Sequence, residues 1–424
     1  MSVETPFVSL YAEVLNTLLP NSLQFMITGA PVLLFIFLFV IFWDLWVDYV
    51  RCSNFLATKY TVLELKLPKE TFKSPQAMEV FLNSLHNTAD GNFYAQYWNG
   101  ETRPWYSLEL ISIEGAVKFM IWTEDRRKSN LMSALYSQFP EIEVKEVEDY
   151  TRSVHFDPNQ IRIWGAEFKF ASKEKAHPLK TYVDYGLDKD PKEEFKVDPL
   201  VPFIEFLGSV PPNQQVWIQI LIRAHLKDRR KKGSIFEKED SWVEESKKLV
   251  NDMMKRDPKT KVAGTKDEAT GFTKLPSISE GEKAIIDAVE RRVTKQAFDV
   301  GIRTLYISKK DAFSMPFGVG GIMSNIKHFS APHMNSFKPE KKWHPLLDYP
   351  WQDFRNMRRN KFGRQVLSAY RQRSYFYAPF KRKPLVMNSE ELATLYHFPG
   401  SVSKAPNLER VPSKKSEAPG NLPI

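Results

Sequence analysis

Apolar and polar residues follow three rhythms along the chain, and each predicts a different element. Near the N-terminus there is no alternation at all. "FMITGAPVLLFIFLFVIFW", Phe25 to Trp43, is apolar throughout and carries no charge. As a helix it would be about 28 Å long, close to the hydrocarbon thickness of a bilayer. Further on the period falls to two. "YTVLELKLP" (60–68), "WYSLELISIEG" (105–115), "AVKFMIWTE" (116–124), "EIEVKEVEDY" (141–150), "IRIWGAEFKFA" (161–171), "QQVWIQILIRAH" (214–225) and "IRTLYIS" (302–308) read as strands. Between them the spacing becomes helical, in 74–86, 126–140, 198–210, 279–301 and 317–329. Ser279 is the expected N-cap of the fourth of these, and Gly301 its C′ stop.

The element order over 58–152 is β-α-β-β-α-β, the split pattern of a ferredoxin-like domain. A second, less regular α/β round occupies 160–345. Its stretch 226–275 is charged and poor in large apolar residues, and reads as an exposed insertion with a marginal helix near 241–255. The expected fold class is therefore α/β (α+β): a single transmembrane helix, one or two ferredoxin-like βαββαβ domains, and a helical C-terminal segment. The alternative to two copies is one α/β domain with decorations. Residues 346–400 form a basic helical segment, and 401–424 a Pro/Ser/Lys-rich tail.

The apolar run reads as an uncleaved anchor in segment 1–50. A signal peptide would carry a positive leading region, yet the first 50 residues contain no Lys or Arg. Trp43 and Trp46 stand where an interfacial aromatic belt would stand, and Pro31 falls in the first turns of the run. Arg51 and Lys59 follow the run, so the positive-inside rule places the N-terminus outside and the C-terminal bulk in the cytoplasm. The expected location is the plasma (inner) membrane, spanned once. Residues 8–20 read as an amphipathic helix on the outer interface.

Composition adds one bias. A net charge of +9 over 424 residues favours anionic partners such as nucleic acid, acidic protein or lipid. The lone cysteine, Cys52, rules out a disulfide within the chain. No Gly-Lys dipeptide occurs, so a phosphate-binding P-loop is excluded, and no GxSxG elbow is present. "GVGG" (318–321) lacks dinucleotide-binding spacing. The eight histidines form no HxH or HxxxH pair, and His328, His333 and His344 lack cysteine partners for zinc. No catalytic, cofactor-binding or metal-ligating residue is expected.

One stretch stands out as a surface. Arg355, Arg358, Arg359, Lys361, Arg364, Arg371, Arg373, Lys381, Arg382 and Lys383 occur with no acidic residue among them, interleaved with Phe362, Tyr370, Tyr375, Phe376 and Tyr377. Such a set suits phosphates and stacked single-stranded bases, or an anionic leaflet. The plainer reading is a helix whose aromatics are core and whose arginines are solvated.

"FLNSLHNT", "YSLELISIEGAVKFMIWTE", "LYSQFPEIEVKEVEDY" and "LATLYHFPG" with the tail "KAPNLERVPSKKSEAPGNLPI" resemble the membrane-anchored region that precedes the motor in TraG/TraD-like type IV secretion coupling ATPases of small-genome bacteria. In those relatives a similar tail leads into the P-loop ATPase. The resemblance implies a non-catalytic scaffold or adaptor for a translocation ATPase of the HerA/FtsK type. The tail then reads as a connector either to a separate motor polypeptide or to one lost from a freestanding relative. Expected partners are the lipid bilayer, a separate P-loop ATPase, DNA, and further copies of the chain. The alternatives are a membrane-tethered DNA-binding protein using 355–383, and a tethered enzyme without a legible motif.

Overall fold

The computed structural model describes residues 19–68, 73–89, 91–172, 176–188, 197–227, 229–230, 238–254, 265–266, 273–274, 279–331, 334–340, 349–400 and 410–411. The expected helix over 8–20 falls almost entirely outside these residues. So do most of the insertion 226–275 and of the tail 401–424. The described chain forms two compact units. One contains the N-terminal helix and Gly91–Thr102; the other contains the remainder.

In the first unit, α1 runs unbroken over Leu19–Ala57, 39 residues. It extends well beyond the expected span, and it places Pro31 in the helix interior rather than in the first turns. Its stretch Gly29–Ala57 is long and apolar enough to cross a membrane. Val32 through Phe42 all point their side chains outward, each 41–70% exposed.

The second unit is a mixed α/β body built on a ten-stranded sheet. Its elements are β1 (Tyr60–Pro68) and α2 (Pro75–Ser84), then, after α3 (Phe93–Tyr97) of the first unit, β2 (Trp105–Ile113), β3 (Ala116–Glu124), α4 (Lys128–Gln138) and β4 (Glu143–Val147). There follow β5 (Ile161–Phe170), α5 (Val201–Gly208), β6 (Gln214–Ala224), α6 (Ser241–Met253), α7 (Glu280–Thr294) and β7 (Ala297–Lys309). The chain continues through α8 (Gly321–Ile326), β8 (Phe337–Pro339), α9 (Met357–Arg371), β9 (Leu385–Asn388), α10 (Ser389–Leu395) and β10 (Arg410–Val411). The two-residue strands 229–230 with 238–239, and 265–266 with 273–274, form separate ribbons.

The main path of the sheet is β8-β5-β7-β6-β2-β3-β1-β10; β4 also pairs with β1, and β9 with β7. Every pairing is antiparallel except β1 with β10. The two α/β rounds meet where β2 lies against β6, Trp105 opposite Arg223 through Ile113 opposite Gln215. Counted outward from that junction, each round runs second, third, first, fourth strand. One sheet and one hydrophobic core serve both rounds. Leu65, Leu110, Phe119, Ile220 and Phe298 project from the strands onto Phe81, Leu135, Ile204, Ile322 and Leu392 of the helices.

Local chemistry explains the elements. Glu114 and Gly115 both hold positive φ (53° and 90°), as a two-residue hairpin between β2 and β3 requires. Ser279 and Glu282 form a reciprocal capping box at the start of α7. This helix stops at Thr294, not at Gly301. Gly301 lies inside β7, where an added Cβ would come 2.6 Å from the Tyr375 ring. The glycine makes room for a packed aromatic and does not cap a helix. "GVGG" lies in a wide, π-helical turn (Met315–Gly320) entering α8, with Gly318 pressed beneath Tyr306.

The C-terminal "NSEELATLYHF" is embedded in the body. His397 is buried, with Nδ1 2.9 Å from the Ala393 carbonyl and Nε2 3.0 Å from Asp198 Oδ2. Burial pushes the imidazole pKa down, but the Asp198 carboxylate outweighs it and holds the ring above its ordinary value of 6.5. Burial likewise pushes Asp198 up, and His397 together with the Leu200 and Val201 amides holds it below its ordinary 3.8. A raised histidine stabilises the fold fully below pH 6.5, and that contribution disappears as pH rises through the folded-state value. A depressed carboxylate stabilises above 3.8 and loses its contribution as pH falls through its folded value. We expect urea unfolding of the solubilised chain to show stability declining as pH rises past 6.5. In Asp198→Asn that decline should flatten.

Candidate functional site

The basic stretch singled out by the sequence is divided by the fold. Arg355, Arg358, Lys361, Arg364, Lys381 and Lys383 are exposed. Arg359 is half-buried beside Asn356, and Arg371 bonds the carbonyls of Thr151 and Val154. Arg373 is buried and Arg382 partly so, both in ion pairs. Tyr370, Tyr375 and Phe376 are core residues, so they offer no face for stacking bases. Asp353 holds the helix start: its carboxylate accepts from the amides of Arg358 (2.7 Å) and Arg359 (3.0 Å). That is a favourable place for a negative charge on α9.

What α9 and the following turn cover is a charged row across the second face of the sheet. The register sets Glu109 opposite Gln219, Gln219 opposite Arg303, and Arg303 opposite Glu167, one residue from each of β2, β6, β7 and β5. All four are buried. Glu109 Oε1 accepts from Ser107 (2.7 Å), Gln219 (3.1 Å) and Arg373 Nε (3.0 Å), and its Oε2 from Tyr150 (2.8 Å). Arg303 donates to Glu167 (2.6 Å and 3.0 Å), to Gln219 Oε1 (3.1 Å) and to the Ser374 carbonyl (3.1 Å). Arg382 completes Glu167 at 3.2 Å, and Arg373 also pairs with Asp149. Three arginines thus meet three carboxylates. Burial works against the Arg373 charge, but Glu109 and Asp149 outweigh it and raise its pKa. Burial and the Glu109 charge raise the Tyr150 and Tyr370 hydroxyls far above their usual range, so both stay protonated donors.

A second charged layer lies where α10 docks. Glu390 meets Arg291 (3.2 Å) and Lys295 (2.9 Å), Glu391 meets Arg292 (3.1 Å), and Glu79 of α2 takes Lys295 (2.8 Å) and the Tyr182 hydroxyl (2.6 Å). A third is smaller. Asp299 on β7 faces His225 Nδ1 at 2.6 Å and Arg223 at 2.8 Å, with His225 Nε2 3.6 Å from Asp240 at the head of α6. Burial pushes the Asp299 carboxyl up, but the histidine and arginine more than reverse that. This cluster holds an imidazole between two carboxylates. Sequence reading missed it because its members come from β6, β7 and the turn before α6. Among the described residues no group of three or more His, Cys, Asp or Glu side chains is placed to hold a metal ion. His328 is among the described residues; His333 and His344 lie outside them.

The chain belongs to the family described as domain of unknown function (DUF8128), whose match covers residues 54–410. The match begins in the last turn of α1 and ends in β10, so it takes in the whole sheet and leaves out the apolar part of α1. No curated protein matches the chain.

The charged row yields a specific expectation. Arg373→Met leaves buried Glu109 and half-buried Asp149 without their cation, and should cost about 3–5 kcal/mol in chemical unfolding. Adding Glu109→Gln should recover part of that loss, giving a large coupling energy in the double-mutant cycle.

Proposed function

We propose that the protein is a single-pass membrane scaffold, non-catalytic itself, that presents its α/β unit to a separate P-loop ATPase of a type IV secretion-like machine. The observation that carries the reading is α1: a helix of 39 residues whose apolar side chains from Val32 to Phe42 face outward. At about 1.5 Å per residue it is roughly 58 Å long, nearly twice a hydrocarbon core of about 30 Å. One end therefore stands clear of the bilayer. Arg51 and Lys59 at that end support an outside N-terminus and a cytoplasmic body at the inner membrane. The second-third-first-fourth strand order in each round supports two fused ferredoxin-like halves. The ATPase partner rests on the resemblance of the stretches quoted above. The buried charged groups are committed to one another, which suits a rigid platform better than a reaction centre.

The test is co-purification from detergent-solubilised membranes. We expect the chain to require detergent and to bring down a P-loop ATPase; recovery as a partner-free soluble monomer overturns the proposal. In Leu38→Arg/Phe39→Arg the membrane-bound fraction should collapse, since each arginine at mid-span costs about 2.5–3.5 kcal/mol of insertion.

A second reading is favoured by the exposure of Arg355, Arg358, Lys361 and Arg364 along the first turns of α9 and just before it. They form a polycationic surface that contacts DNA phosphates without reading bases. Replacing Arg358, Lys361 and Arg364 with Gln should weaken DNA binding and lower its log-log salt slope by about 0.7–0.9 per lost contact. An unchanged slope removes this reading.

A further inference from the structure

Beside α1 lies a second hydrophobic element that the apolar span does not account for. The segment Gly91–Thr102 belongs to the same compact unit as the helix. It packs along one stripe of α1. Val47 is buried, and Trp43, Trp46 and Val50 are partly buried, at helical spacing on one face. The attachment is specific. Trp46 Nε1 donates to the Tyr97 carbonyl at 3.1 Å, and Asn54 Nδ2 to the Gly100 carbonyl at 3.0 Å. Gly100, at φ +68°, comes so close that an added Cβ would stand 2.3 Å from the Val50 carbonyl oxygen. The Trp43 ring sits 5.7 Å from Tyr97 and 5.9 Å from Trp98, centroid to centroid.

The held segment turns its own apolar groups outward. Asn92 caps α3, its side chain accepting from the Ala95 amide at 2.8 Å. On that helix Phe93 is 64% exposed and Tyr94 62%, and Trp98 just after it is 46% exposed. Tyr94 and Trp98 stack on each other at 6.3 Å. Three large rings facing outward on six residues call for a covering medium. The position along α1 identifies it. The rings stand at the level of Trp43 and Trp46, where the exposed apolar run ends and the first charges of the helix, Asp44 and Asp48, begin. Outward-facing Leu45 and Tyr49 continue the run to the same level. Amphipathic aromatic rings at the end of a span are the side chains that the headgroup boundary of a bilayer retains.

We propose that α3 and Trp98 form a second membrane contact, with Phe93, Tyr94 and Trp98 lying in the lipid interface next to α1. This inference rests on the reading of α1 as a membrane span and assigns a further residue set to it. The contact fixes the depth and rotation of α1, because a ring-bearing arm attached to one face of a helix favours one rotational setting at the boundary. The segment carries a single charged side chain, Glu101, and no basic one, so the attraction is for the interface itself and not for anionic lipid in particular.

Depth measurements on the full chain test this. In a Cys52→Ala background, single cysteines at Leu38, Phe93, Tyr94 and Leu56 carry an environment-sensitive fluorophore. The proteins are reconstituted in phosphatidylcholine vesicles containing lipids with a nitroxide either near the headgroup or near the chain end. Leu56 is the aqueous reference, about 20 Å along the helix beyond Trp43. We expect Leu38→Cys to be quenched best by the deep nitroxide. Phe93→Cys and Tyr94→Cys should show blue-shifted emission and stronger quenching by the shallow one, and Leu56→Cys neither. If position 38 reads deep while 93 and 94 match position 56, the interfacial contact is overturned and the span stands. Blue-shifted emission at 93 and 94 without quenching by either lipid means that a protein surface covers the rings, and also overturns it. If position 38 reads aqueous, the span fails and the contact with it.

Discussion

The constraint that organises the larger unit is the burial of both faces of its sheet. Helices cover one face with leucine, isoleucine and phenylalanine. The other carries Glu109, Gln219, Arg303 and Glu167 in one row and is covered by α9 and the turn after it. A buried charge without a partner is costly by several kcal/mol. The covering segment must therefore bring Arg373 to Glu109 and Arg382 to Glu167. The C-terminal quarter of the chain is, for that reason, a structural layer of the same body as the strands.

This divides the basic stretch into two populations with different physics. Arg373 and Arg382 are charges neutralised within the fold, while Arg355, Arg358, Lys361 and Arg364 remain hydrated along the start of α9. A run of like charges in sequence thus says little about a surface until the register of the strands beneath it is known. The match to the DUF8128 family spans both populations as well as the whole sheet.

Much of the strand framework was legible. Tyr60–Pro68 and Ala116–Glu124 coincide with the alternating stretches, and the Glu114-Gly115 turn sits where its residues demand it. The apolar run of α1 was also plain, although its length was not; nothing between Asp44 and Ala57 breaks a helix, and the face that covers those turns comes from residues 91–102. The failures share one cause. Residues 297–301 looked like the end of α7 because Gly301 offered a C′ stop, whereas Asp299 is held in β7 by Arg223 and His225, more than seventy positions earlier. Glu109 likewise occupies a polar position in the alternating stretch of β2, and its arginine is 264 residues away. Local periodicity cannot reveal a polar residue whose burial is paid for by a distant partner.

The clasp between Ser389 and Glu79, 310 residues apart, carries a consequence for biosynthesis. The strand Leu385–Asn388 and helix Ser389–Leu395 complete the body only long after α2 has been made. During translation α1 precedes them all, and α2 and β7 expose the surfaces that this late segment covers until it is made. Closure is then a late step, and the incomplete body exposes an open seam that is a substrate for chaperones.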